Sequence, residues 1–232
     1  MNSSNVIGQI ASLAGTLLVA LLVWRYYRTK KFPAEMRYRT FGPRFWTGSI
    51  DSCVFLPLTI TTTFLLWLNI PSILAVILVI VQNLAWLVYT VLMHAHYGQT
   101  IGKMVTKVRV VDSRTEGKIS WLQATVREGI PLFSSLGLEG YEVFEILSGR
   151  VTARGLANGE AYNNHGPFWL LTAIPGIWFF AEVLTMLTNK KRRALHDIIA
   201  GTVVVRTNLD YDNEPSKDGI DPGTASAPQP VI

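Results

Sequence analysis

The sequence contains one cysteine, Cys53, so no internal disulfide can form, and its place in an apolar run says nothing about redox compartment. Charge is equally scarce: Asp, Glu, Lys and Arg make up 16% of the 232 residues, while 49% are hydrophobic. Apolar blocks near twenty residues long, with so few charges between them, point to an integral membrane protein rather than a soluble domain. No internal repeat is visible, which counts against an inverted-repeat transporter. There is no nucleophile–base pair and no Glu-x-x-His on a helix, so no catalytic residues and no enzyme are expected. His94, His96 and His196 have no cysteine beside them, and residues two apart in "HAH" do not share a helix face. They read as solvated or interfacial histidines, with no metal site and no cofactor.

Four apolar blocks stand out, at about 6–24, 45–68, 71–93 and 168–188. Each is long enough to cross ~30 Å of hydrocarbon as a helix. The first lacks a basic start and a small-residue cleavage site, and "RYYRTKK" follows it, as in an uncleaved signal anchor with its N-terminus outside. The net charge of +5 clusters beside these blocks, which favours a lipid bilayer as partner and speaks against nucleic acid. Segments 25–44, 94–120 and 189–206 hold seven, five and five Lys or Arg, whereas 139–166 holds two against four Glu. The positive-inside rule places the three basic segments in the cytoplasm and the acidic segment 139–166 outside. That assignment needs a further crossing, and residues 121–138, "WLQATVREGIPLFSSLGL", provide the candidate. The alternative for this segment is a re-entrant or interfacial helix.

The expected architecture is an all-α membrane bundle of about five helices, N-terminus outside and C-terminus cytoplasmic, in a cell inner membrane. "MVTKVRVV" (104–111) and "GTVVVR" (201–206) read as strands of a small cytoplasmic hairpin-like element. Three parts follow: a signal-anchor helix and basic linker (1–40), a membrane domain (41–206), and a polar tail (207–232) that is disordered or partner-bound.

Three pieces carry a resemblance: "RFWTGSID" (Arg44 to Asp51), "GQTIGKMVTKVRVVDSRTEGKISWLQATVRE" (Gly98 to Glu128) and "RRALHDIIAGTVVV" (Arg192 to Val205). Together they resemble the RDD family of membrane proteins. The resemblance implies that Arg44, Asp51 and Asp197 are the signature charges, and it implies a suggested role in transport.

Ionisable residues inside the spans are the candidate site. Asp51, Arg127 and Glu182 each lie six residues from the cytoplasmic end of a span, and Glu128 adjoins them. A buried cluster is expected in which Arg127 neutralises Asp51, Glu182 or both, serving either helix register or transport. Arg44, at the membrane–cytoplasm boundary, is expected to meet Asp197, with lipid phosphate as the alternative. "GQTIGK" has one residue too few between its glycines for a phosphate loop, and Met104 follows its lysine. It reads as a tight turn from helix to strand, with Lys103 at lipid headgroups. Lys190, Lys191, Arg192 and Arg193 are expected there too. Two functions remain open: movement of a small ion or solute, or an accessory subunit that docks partner membrane proteins or a second copy.

Overall fold

The computed structural model describes residues 3–160 and 168–210. The chain is mostly helical. Helix α1 (Ser3–Thr29) leads through a short strand β1 (Phe32–Pro33) and one 3-10 turn (Ala34–Met36) into α2 (Phe41–Trp67). Asn69, at a φ of 58°, and Pro71 turn the chain into α3 (Ser72–Tyr97). Asparagine tolerates this left-handed backbone, and proline cannot continue the preceding helix, so four residues suffice to reverse direction. A five-residue helix α4 (Ile101–Val105) and strand β2 (Val108–Asp112) precede the long α5 (Trp121–Leu147). Then come α6 (Ala153–Ala157), α7 (Phe168–Thr188), α8 (Leu195–Ile199), β3 (Thr202–Arg206) and β4 (Leu209–Asp210).

Among the described residues, α2 and α3 are long and apolar enough to cross a membrane. Their outer faces expose large side chains such as Phe45, Ile60, Ile73 and Ile80, as surfaces meant for hydrocarbon do. Helix α5 carries Arg127, Glu128 and Pro131 in its first half. Its start is fixed by a reciprocal cap: the Ser120 hydroxyl accepts from the Gln123 N–H, and the Gln123 side chain accepts from the Ser120 N–H.

Strands β2 and β3 pair antiparallel, Val108 opposite Arg206 and Asp112 opposite Thr202. They are not a hairpin, because α5, α6, α7 and α8 lie between them in sequence. Val108, Val110 and Val204 face Ala95, Ile119 and Ala124, while Val111, Val203 and Val205 pack on the other face beside Tyr38. Both faces are therefore covered, and the apolar runs "VRVV" and "VVV" follow from that. The sequence expectation began β2 at residue 104. Residues 101–105 are helical instead, and the strand begins at Val108. At the same end of the molecule, β1 pairs in parallel with β4, and Asn208 donates to the Lys30 carbonyl at 2.8 Å. This clasp ties the linker after α1 to the chain beyond β3. Of the expected tail, 207–232, Leu209–Asp210 form β4, and residues 211–232 lie outside the described residues.

Candidate functional site

The stretch "GQTIGK" shows how the site is positioned, because each of its residues has a separate task. Gly98 ends α3 in the left-handed conformation, φ 68°, and its carbonyl accepts from the Val110 N–H at 2.7 Å. A Cβ there would stand 2.8 Å from the Val110 carbonyl oxygen, so glycine is required twice over. Thr100 caps α4, accepting from the Lys103 N–H. Gly102 lets α4 lie directly on α2, since a Cβ would fall 2.4 Å from the Thr47 carbonyl oxygen and 2.9 Å from Asp51 Cγ. The element is thus a capped helix rather than a tight turn into a strand.

Asp51 is buried and points at the N-terminus of that helix. It accepts from the Gly102 N–H at 2.7 Å, the Thr100 hydroxyl at 2.7 Å and the Tyr89 hydroxyl at 2.8 Å. Tyr89 in turn accepts from the Ile101 N–H at 3.0 Å. A carboxylate at a helix N-terminus satisfies orphan N–H groups and meets the positive end of the peptide dipoles. Asp51 therefore joins α2, α3 and α4 through neutral donors, and its partners are neither Arg127 nor Glu182. Counting depth from the helix ends could not find this, because α4 intervenes and supplies the donors.

Arg127 belongs to Asp197. Buried Asp197 bonds Arg127 Nη1 through Oδ1 and Arg44 Nη2 through Oδ2 at 2.5 Å. It also accepts from the Ala194 N–H at 3.0 Å, holding the start of α8, and from the Thr202 hydroxyl at 3.2 Å. Burial pushes the Asp197 carboxyl up, but Arg127 and then Arg44 outweigh burial and hold it well below the ordinary carboxylate range. Arg44 and Asp197 meet as the sequence reading expected, joining the start of α2 to α8.

The chain of charges continues in both directions from Asp197. On one side Arg127 Nε reaches Glu128 Oε1 at 3.2 Å, and His94 Nδ1 lies 3.0 Å from the same oxygen. His94 is fully buried rather than solvated. On the other side Arg44 Nη2 lies 3.3 Å from His196 Nε2, and His196 Nδ1 contacts Glu182. The direct contact of Glu182 is therefore His196, and Arg127 feels its charge only through space. His96, by contrast, is exposed and sets its ring against Trp121.

The basic residues assigned to headgroups divide. Lys103 is half-buried and faces inward, where burial and Arg127 lower it to about 8, with Glu128 and Asp51 opposing. Lys191 donates to the Ser113 carbonyl at 3.1 Å and lies over the Tyr38 ring. Arg193 donates to the carbonyls of Thr202 and Asp197, and Arg192 to that of Leu187. Only Lys190 of this group is exposed. These side chains close helix and strand ends, a local use that a positive run does not disclose.

Beside Glu128, between α3 and α5, a cavity of about 320 Å³ opens. Asn83, Trp86 and Thr90 line it from α3, and Glu128, Pro131 and Glu139 from α5. The spacing 83, 86, 90 marks one face of α3, and His94 continues that face to the ion-pair chain. Sequence reasoning did not reach this cavity. Its signals were an asparagine and a threonine in an apolar helix, which resemble ordinary back-bonded residues when taken singly. Glu139, expected in an acidic outer loop, lies within α5 because that helix runs on to Leu147.

No curated protein and no solved structure matches the chain. The model of the RDD family matches residues 38–201, which contain Arg44, Asp51, α4, the ion-pair chain and the cavity. Helix α1 and strand β4 lie outside the match. By a match over most of its length, this chain belongs to the RDD family.

Proposed function

We propose that this protein is a multi-pass membrane protein that moves a small ion or solute by way of the polar groups between its helices. The observation that carries the reading is the continuity of charge and space. The chain His196–Arg44–Asp197–Arg127–Glu128–His94 runs through one end of the bundle and ends at a cavity between α3 and α5. Charged groups inside a membrane are costly, and a cavity that continues them and carries polar side chains on its wall is an arrangement a permeating ion or solute can use. In this reading α1, α2, α3, α5 and α7 all cross the bilayer, and the end with the two-stranded sheet faces the cytoplasm. Reconstituted vesicles with a trapped pH dye and imposed Na⁺ or K⁺ gradients test it. Flux above that of protein-free vesicles, reduced at least about tenfold by Glu128→Gln, is the expected result. Flux equal to that of protein-free vesicles would end the reading.

One observation favours a second reading, an accessory subunit. The clasp of β1 on β4 and helix α1 sit outside the family-matched region, and α1 exposes Leu17, Leu18, Leu21 and Leu22. Purification in mild detergent distinguishes the two readings: a stoichiometric partner lost on deleting residues 1–30 supports the subunit.

A further inference from the structure

The basic run after α1 accounts for orientation, but the fold adds cations to it that lie far away in sequence. Asn208 accepts from the Phe32 N–H on its carbonyl at 3.0 Å and donates its amide nitrogen to the Lys30 carbonyl at 2.8 Å. Arg206 Nε donates to the Arg39 carbonyl, and the Thr207 N–H donates to the Lys107 carbonyl, both at 2.9 Å. Residues 206–208 thereby hold three separate stretches side by side, 30–32, 39 and 107. Arg28, Lys30, Lys31, Arg39 and Lys107 are all exposed. None of the five has a carboxylate partner among the described residues.

Beneath them lies Arg206, which is only 8% exposed. Its Cζ stands 4.0 Å from the centroid of the Phe32 ring, and Lys30 Nζ stands 5.3 Å from the same centroid. Arg206 Nη1 is buried without a hydrogen-bond partner, and this arginine too has no carboxylate beside it among the described residues. An aromatic face and a peptide carbonyl stabilise a guanidinium but do not cancel its charge. Salt screens a buried charge poorly, so Arg206 adds its field to that of the exposed cations above it. Stretches 28–39 and 206–210 hold six Lys or Arg against two carboxylates, Glu35 and Asp210. The complement of such a surface is an anion.

The neighbouring apolar surface decides which anion. Just before Arg28, helix α1 exposes Trp24 and Tyr26. Arg28 Cζ lies 4.9 Å from the centroid of the Trp24 ring, and Lys30 donates to the Tyr26 hydroxyl at 2.8 Å. Leu17, Leu18, Leu21 and Leu22 continue the exposed surface along α1. Aromatic rings and cations at the end of an apolar helix mark a membrane interface, where lipid phosphates lie level with the cations and acyl chains beside the leucines. We propose that the junction of α1 with residues 206–208 is a binding face for anionic phospholipid headgroups, with Lys30, Arg39 and Lys107 on its surface and Arg206 as the buried charge beneath. Of the proposed function this requires only that α1 lies in the bilayer, and transport plays no part in it.

Native mass spectrometry of the full chain, after exposure in mild detergent to equal amounts of dioleoyl phosphatidylglycerol and dioleoyl phosphatidylcholine, tests it. Phosphatidylglycerol should be retained at least about tenfold more often. Arg39→Gln combined with Lys107→Gln lies outside the run after α1 and should reduce that preference at least about fivefold. Arg114→Gln combined with Lys118→Gln removes the same charge from the exposed turn between β2 and α5 and should leave the preference unchanged. An equal loss in both double variants reports net charge alone and overturns the proposal. So does equal retention of the two lipids by the unaltered protein. Displacement of phosphatidylglycerol by an excess of inorganic phosphate overturns the lipid assignment in favour of a free anion. Lipid preference without vesicle flux leaves this face standing and ends the transport reading, while flux without lipid preference does the reverse.

Discussion

Asp51 and Asp197 hold the starts of two five-residue helices, α4 and α8, yet they do so in opposite electrical surroundings. Asp51 accepts from two hydroxyls and a backbone N–H. Asp197 accepts from one backbone N–H and one hydroxyl, but it also sits between two guanidinium groups. Neutral donors and a helix N-terminus can stabilise a buried carboxylate without cancelling its charge, whereas paired arginines cancel it. The difference teaches that a lone acid in an apolar run is not by itself a sign of an ion pair. Asp197 is a node on which four elements depend, α2, α5, α8 and β3, while Asp51 joins three, α2, α3 and α4.

The largest expected effect follows from breaking the more charged of the two. Asp197→Asn leaves Arg44 and Arg127 buried without a full counter-charge, and should cost about 3–5 kcal/mol. Loss of a monodisperse peak in detergent, or a large fall in Tm, would report it. Gly102→Ala comes next, because its methyl group meets the backbone of Thr47 and the carboxyl of Asp51 at once. About 1–3 kcal/mol is expected, and Asp51→Gly in the same chain should recover part of it by removing the carboxyl. Asp51→Asn retains one acceptor oxygen and should cost about 1–2 kcal/mol, well below Asp197→Asn measured under the same conditions.

The smallest effect is a pH slope at Lys103. Burial lowers this amine from 10.5 to about 8 in the folded protein, so between those values the unfolded chain binds more protons. Stability should therefore rise with pH from about 8 towards 10.5, and Lys103→Met should flatten that limb. A slope unchanged in the variant would place Lys103 in water.

Much of the frame was legible. The long apolar blocks foretold α2 and α3, and β-branched runs foretold the β2–β3 pair across the intervening helices. Arg44 and Asp197 were legible because the family resemblance marks both as signature charges, and a charge at the mouth of a span seeks one of opposite sign. The partners of Asp51 were not, since Tyr89, Thr100 and a glycine N–H carry no formal charge and leave no trace in a charge map. Helix α4 was hidden by its length, because five residues show no periodicity. Its punctuation, Gly98 before Thr100, was present as a C-cap followed by an N-cap. Glu182 was assigned by depth to Arg127, but the chain turns after α7 and brings His196 back beside it.

The claim that Arg127 serves Asp197 and not Asp51 can be measured directly with two double-mutant cycles under one set of unfolding conditions in mixed micelles. Arg127→Met would be combined with Asp197→Asn in one cycle and with Asp51→Asn in the other. The account predicts a coupling of at least about 1.5 kcal/mol in the first cycle and less than about 0.5 kcal/mol in the second. A coupling between Arg127 and Asp51 as large as that between Arg127 and Asp197 would contradict it.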